Sequence, residues 1–283
     1  MFFNVILVLC WEQLIYGTCR LWAVFFELGL SLSKKFFDYL GCCVIIFIMD
    51  LSALGSVQEN ISRAIAHRCC SLVTGENVTL VAVTKNHPPE LIDDVLDAGI
   101  SDVGENRVQE ARHKQEFLGS ACRDGTRWHL LGHLQSNKVR QAVACFDLIE
   151  SVDSLRLLQL LNDEAGRIDK IQDVLLQLNI AHESQKSGFE RVDYLEVLNH
   201  LAEFSHVRVR GLMVIAPAAE DAELVRPVFA AGYRAFVRLK ERWPVDILSM
   251  GMSNDYMVAV EEGANQVRVG RALFGERDYS IKF

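Results

Sequence analysis

The stretch Thr79-Leu-Val-Ala-Val-Thr-Lys85-Asn86-His87 sets a lone lysine at the carboxyl end of an apolar, strand-like run, which Pro88-Pro89 cuts off at once. The stem of Lys85 therefore starts in a dry interior. Burying an ammonium is costly, so a lysine in such a place tends to shed its proton and serve as a nucleophilic amine. The alternative is a lysine that snorkels to water at a strand end. Two later stretches bear on the choice: Ser249-Met-Gly251-Met-Ser253, and Val269-Gly270-Arg271. Each joins glycines or hydroxyls to the start of a short helix, which brings N–H and O–H donors to an anion. Ordinary turn and cap chemistry is the alternative there.

The elements that must position these residues alternate simply. An amphipathic helix is expected over residues 50–73, with Leu51, Leu54, Val57, Ile61, Ala64 and Ile65 on one stripe. Strand-like runs follow at Leu80–Thr84, Asp102–Gly104, Trp128–Gly132, Asp147–Glu150, Val174–Asn179, Val207–Ile215, Asp246–Ser249 and Gln266–Gly270. Helical patterns separate them, among them Glu90–Ala98, Arg107–Phe117, Ser154–Ala165, Val192–Phe204 and Leu224–Arg242. Eight such strands predict a closed (β/α)8 barrel. An open doubly wound sheet is second, and would call for a glycine-rich turn after its first strand that Lys85-Asn-His-Pro-Pro does not provide. Polar residues gather at the strand ends: Lys85, Asn106, His133 with Gln135 and Lys138, His182 with Lys186, Ser253, Arg268 and Arg271. In a barrel these ends share one rim, and the loops after the last two strands commonly hold phosphate. An amine and an anion cradle on one rim match an aldehyde bearing a phosphate, namely pyridoxal 5′-phosphate.

Composition narrows the classes. A formal charge of −8 and the absence of a basic run leave no electrostatic footprint for nucleic acid. Eight cysteines, two pairs of them adjacent (Cys42-Cys43 and Cys69-Cys70), lack disulfide-scaffold or zinc spacing and fit a reduced cytoplasmic setting. Residues 1–48 differ from the rest, holding 11 of 25 aromatic residues in three interrupted apolar patches. Each patch is shorter than the roughly 20 residues that cross a bilayer. A membrane-associated extension and a signal-like leader are alternatives; the favoured expectation is sequence upstream of a start at Met49, with residues 49–283 forming the barrel and no membrane role for them.

Ala82-Val-Thr-Lys85, Gly104-Glu-Asn-Arg-Val-Gln-Glu110, Trp128-His-Leu-Leu-Gly-His-Leu-Gln-Ser-Asn-Lys138, Ser151-Val-Asp-Ser154, Gly211-Leu-Met213, Ser249-Met-Gly-Met-Ser253 and Val267-Arg-Val-Gly270 with Phe274-Gly275 are the motifs that matter most. Over about residues 50–280 the chain resembles the pyridoxal phosphate homeostasis proteins, which are themselves similar to the barrel of alanine racemase. The resemblance implies a covalent lysine–cofactor imine at Lys85, with Asn106 beside the cofactor. It implies phosphate contacts from Ser249, Ser253 and the backbone around Gly270, with Arg268 facing the pyridine nitrogen. A permanent cation there disfavours ring protonation and weakens the ring as an electron sink. The chain departs from the pattern at Arg271, where a small hydroxyl residue is usual, so a phosphate oxygen loses a hydroxyl or gains charge assistance. Asn86-His87 also replaces the commoner pair after the lysine.

His129 and His133 lie across a strand–loop junction, a poor spacing for a metal pair, and no metal is expected. Two functions remain open. An amino-acid racemase needs a base on each face of the α-carbon, and the chain runs only a few residues past the eighth strand, with Tyr279 close behind. The expectation is instead a monomeric carrier that binds the cofactor reversibly, keeps free aldehyde low and passes it to apo-enzymes.

Overall fold

The computed structural model describes residues 51–68, 72–123, 125–180, 188–189 and 191–275. The expectations for His182, Lys186, Tyr279 and residues 1–48 lie outside these.

Helix α1 (Leu51–Ala66) precedes eight strands. These are β1 (Thr79–Val83), β2 (Asp102–Glu105), β3 (Arg127–Leu130), β4 (Leu148–Val152), β5 (Gln172–Leu178), β6 (Val207–Val214), β7 (Ile247–Met252) and β8 (Gln266–Val269). All pair in parallel, in chain order, and β8 closes onto β1, with Val81 opposite Arg268. A helix follows each strand: α2 (Leu91–Asp97), α3 (Val108–Arg123, interrupted at Gly119), α4 (Val139–Cys145), α5 (Leu155–Arg167), α6 (Arg191–His200), α7 (Arg226–Lys240), α8 (Tyr256–Glu261) and α9 (Arg271–Phe274). The described residues form a (β/α)8 barrel with one added helix before β1.

The two faces of the strands carry different cores. Ala82, Val103, Leu130, Ile149, Val174, Leu212, Leu248 and Val267 point outward and pack under the helices with Phe146, Leu161, Phe229 and Phe236. Leu148, Leu175, Met213 and Ile247 form a small separate plug inside the barrel. Several other inward positions carry buried polar residues, among them His129, Glu150, Ser249, Gln266 and Arg268.

α1 stops at Ala66 rather than running to residue 73. Arg68 supplies the reason: its guanidinium donates to the backbone carbonyls of Val260 (2.8 Å), Ala264 (2.9 Å) and Gly75 (2.5 Å). These bonds tie the residue just past α1 to the end of α8, the loop before β8 and the turn before β1.

Candidate functional site

A cavity of about 430 Å³ opens at the carboxyl ends of the strands. Lys85, Asn106, Ser253, Arg268, Gly270 and Arg271 line it together with apolar Val83, Leu131, Met213 and Ile215. Five of the six residues singled out for cofactor contact therefore meet in one space. Lys85 reaches it because the two-residue period of β1 points Val81, Val83 and the next odd position inward.

The turn after β7 and the start of α9 form one wall. Ser253 Oγ accepts from the amides of Gly270 (3.4 Å) and Ala272 (3.2 Å), so its own O–H remains a donor. Gly251 has φ +93°, and a Cβ there would stand 2.7 Å from Tyr256 Cα, which fixes glycine at the bend. A Cβ on Gly270 would stand 2.9 Å from the Val83 carbonyl, so only glycine lets α9 begin this close to β1. Arg271 is exposed at the mouth, and its Nη2 donates to Asn254 Oδ1. The Ser253 hydroxyl and the Arg271 guanidinium thus stand on one side of the cavity beside the Gly270 turn, with an amine in the same space. This donor set fits a phosphorylated aldehyde such as pyridoxal 5′-phosphate.

Ser249, the sixth residue, is placed differently. It is fully buried, its Oγ donates to Glu150 Oε2 (2.6 Å) and accepts from Arg268 Nη1 (2.6 Å), and it is not among the cavity-lining residues. Arg268 Nη2 also donates to the Val214 carbonyl (2.9 Å). Burial pulls the Arg268 guanidinium below its usual range, while Glu150 and Asp255 oppose that.

Behind Ser249 the barrel interior holds a continuous polar chain. Glu150 Oε1 accepts from Gln266 Nε2 (2.7 Å) and faces His129 Nδ1 (2.8 Å); His129 Nε2 faces Asp102 Oδ1 (2.9 Å). A ring with a carboxylate at each nitrogen fits an imidazolium, the form with two N–H donors. Burial alone would pull His129 down, but its hydrogen bonds to Asp102 and Glu150 outweigh that and push it up. Asp102 is held below the usual carboxylate range: burial, which raises it, loses to the hydrogen bond and charge of His129. His133 pairs instead with Asp153 through Nδ1 (3.0 Å), so the two histidines serve separate partners.

Sequence reasoning missed Glu150 and Gln266 as members of the site. The alternation of the strands carries the signal: Glu150 lies two residues from the inward Leu148, and Gln266 lies two from Arg268 and opposite Ser249.

The sequence places the chain in a recognised class. The family described as "Alanine racemase, N-terminal domain" matches residues 54–278, and the chain belongs to it. Within that class its relatives carry a narrower name. The "Pyridoxal phosphate homeostasis protein" of Escherichia coli K12 is 42% identical over 232 residues, 81% of this chain and 97% of the relative. Among solved structures, PipY of Synechococcus elongatus without PLP is 39% identical with a TM-score of 0.68, over 79% of this chain and 99% of that one. PipY with PLP bound is 40% identical with a TM-score of 0.64, over 76% of this chain and 100% of that one. An alanine racemase of Clostridium difficile shares the fold at 16% identity and a TM-score of 0.61, and this chain covers 59% of its length.

Proposed function

We propose that the chain binds pyridoxal 5′-phosphate reversibly and serves in the homeostasis of that cofactor, residues 49–283 being the functional unit. The observation that carries this is the meeting of Lys85 with Ser253, Gly270 and Arg271 around one cavity, in a chain 42% identical to a pyridoxal phosphate homeostasis protein. When bound, the cofactor supplies a reactive aldehyde and an electron-withdrawing ring. Lys85 is the attachment amine, through an imine; Ser253 and the Gly270 turn hold the phosphate; Asn106 lies alongside. Arg268 faces the ring nitrogen with a guanidinium that leaves it unprotonated, which keeps the electron sink weak. Ser249 acts one step back, by holding Arg268.

A carrier role is better supported than racemisation. Among the described lining residues, Lys85 offers one base, and the one carboxylate, Asp255, has Oδ1 engaged by the Met252 amide at 2.6 Å. The protein is proposed to work as a monomer in the cytoplasm and to pass the cofactor to apo-enzymes. No helix among the described residues is long and apolar enough to cross a membrane.

The test is borohydride reduction of the cofactor-loaded chain, followed by intact-mass analysis and peptide mapping. One added pyridoxyl phosphate on the Lys85 peptide is expected, and loss of the label in Lys85→Ala. Label on other lysines with Lys85 unmodified would overturn the assignment. Rapid exchange of the α-hydrogen of L- or D-amino acids in deuterated water would revive the racemase.

A further inference from the structure

Outside the barrel wall, directly behind Lys85, lies a cluster that the site described above does not use. Lys114, on α3, is fully buried, and so are Glu105 at the end of β2 and Glu110 on α3. Lys114 Nζ donates to Glu105 Oε1 (2.6 Å), Glu110 Oε1 (3.0 Å) and the Thr84 carbonyl (2.7 Å). Thr84 Oγ donates to Glu105 Oε1 (2.6 Å), and the Asn86 amide donates to Glu110 Oε1 (2.5 Å). The Thr84 carbonyl also accepts from the His87 amide (3.0 Å), closing the turn that contains Lys85. Asn86 sits at φ +59°, in the left-handed region that asparagine tolerates better than most side chains.

The residues before and after Lys85 are thus both gripped by buried side chains of β2 and α3, through Lys114 and the two carboxyl groups around it. Charge-assisted hydrogen bonds of this kind are the strong ones, and buried charges are costly unless paired. Packing alone would be served as well by apolar residues of similar volume. What the ionic cluster adds is a fixed direction for the backbone at Lys85.

We propose that Lys114, Glu105 and Glu110 are positioning residues for Lys85: they fix the Thr84–Asn86 turn so that the lysine amine is held facing the cavity. The inference rests on the reading of Lys85 as the attachment amine. None of the three lines the cavity. Their effect on a ligand must therefore pass through the Lys85 turn: the hydrogen bonds given above reach Thr84 and Asn86, whereas the Ser253 hydroxyl bonds to Gly270 and Ala272.

This separation gives a direct test with the full chain. Two ligands are titrated: pyridoxal 5′-phosphate, which can bond to the lysine, and pyridoxine 5′-phosphate, which has the phosphate but no aldehyde. Glu110→Ala, which leaves Lys114 and Glu105 paired one to one, is expected to weaken binding of the aldehyde about tenfold, the scale of one charge-assisted hydrogen bond, while the alcohol binds unchanged. Lys114→Met should do the same where it folds. Amide hydrogen exchange at Asn86 in the unliganded chain should quicken about tenfold or more in Glu110→Ala. Equal loss for both ligands, or no loss for either, would mean that the cluster is structural only and would overturn the proposal. If the unmodified chain bound neither ligand, the functional reading itself would fail. The exchange rate at Asn86 would then decide the cluster alone: unchanged protection would refute the grip on the turn.

Discussion

Arg268 and Glu150, the buried cation and buried carboxylate of the barrel interior, are joined through the single hydroxyl of Ser249, at 2.6 Å on either side. Because the hydroxyl gives its proton to Glu150, it presents lone pairs to Arg268, and the guanidinium is held by an acceptor on one nitrogen and the Val214 carbonyl on the other. A cation placed in this way is oriented before any ligand arrives.

Ser249 and Ser253 should therefore fail differently. Ser249→Ala leaves Arg268 and Glu150 each short of a buried partner and is expected to lower stability by about 1–3 kcal/mol in urea unfolding. Ser253→Ala removes a donor at the cavity wall. It should weaken pyridoxal 5′-phosphate binding about fivefold and, by taking the acceptor from the Gly270 and Ala272 amides, lower stability by about 0.5–1 kcal/mol. Intact stability with lost phosphate affinity in Ser249→Ala would instead make its hydroxyl a direct phosphate contact.

Arg271 offers a salt-sensitive contribution. The side chain is exposed at the mouth of the cavity, where ion pairs are worth about 0.2–1 kcal/mol and fade with ionic strength. Arg271→Thr is expected to weaken cofactor binding by up to about fivefold at low salt. The gap between variant and parent should close near 1 M salt. A gap independent of salt would mean that Arg271 acts by shape rather than by charge.

Much of this was legible in the sequence, because local signals and tertiary needs agreed. Apolar runs at regular spacing gave eight strands, and the proline pair after Lys85 and the glycine-serine turns near the end marked the rim. The interior chain was not legible from motifs. Glu150 and Gln266 stand among apolar neighbours in β4 and β8, and only the barrel's closure tells that their inward faces meet His129 and Ser249. Lys114 was hidden for another reason. Its i,i+4 spacing from Glu110 reads as an ordinary solvent-facing pair on a helix, and burial beneath α3 reverses that meaning. Ser249 and Ser253 look alike in the string Ser-Met-Gly-Met-Ser, yet one points into the barrel and the other lies in the turn past the strand.

Glu105 makes stability fall as pH rises through the acid-to-neutral range. Burial pushes its carboxyl up to about 7, with Glu110 adding to the push and Lys114 and Thr84 opposing it. One oxygen, Oε2, has no hydrogen-bond partner among the described residues. The folded chain then holds this proton more tightly than the unfolded chain does, so its stabilising effect is complete below about pH 4.5 and is lost by about pH 7. Glu105→Gln, which cannot ionise, should gain stability relative to the parent as pH rises from about 4.5 to 7, followed by urea midpoints at fixed pH steps. A difference that stays flat across that window would mean that Glu105 is ionised in the fold throughout.

His129 sets the last expectation, with a window that opens above its unfolded value. The imidazole is pushed up by Asp102 and Glu150 against the downward pull of burial, so the folded chain keeps its proton to higher pH than the unfolded chain. Its contribution is fully present below the unfolded value of about 6.5 and drains away as pH rises through the folded value. His129→Gln keeps the approximate volume and an amide donor but has no titrating charge. The stability deficit of this variant should be largest at about pH 6 and shrink steadily above pH 6.5. Nitrogen chemical shifts of His129 in the parent should report both ring nitrogens protonated at neutral pH. A deficit constant with pH, together with a neutral tautomer in the spectrum, would mean that one flanking carboxyl carries the proton, and that the link from Asp102 to Arg268 is a chain of neutral hydrogen bonds rather than alternating charges.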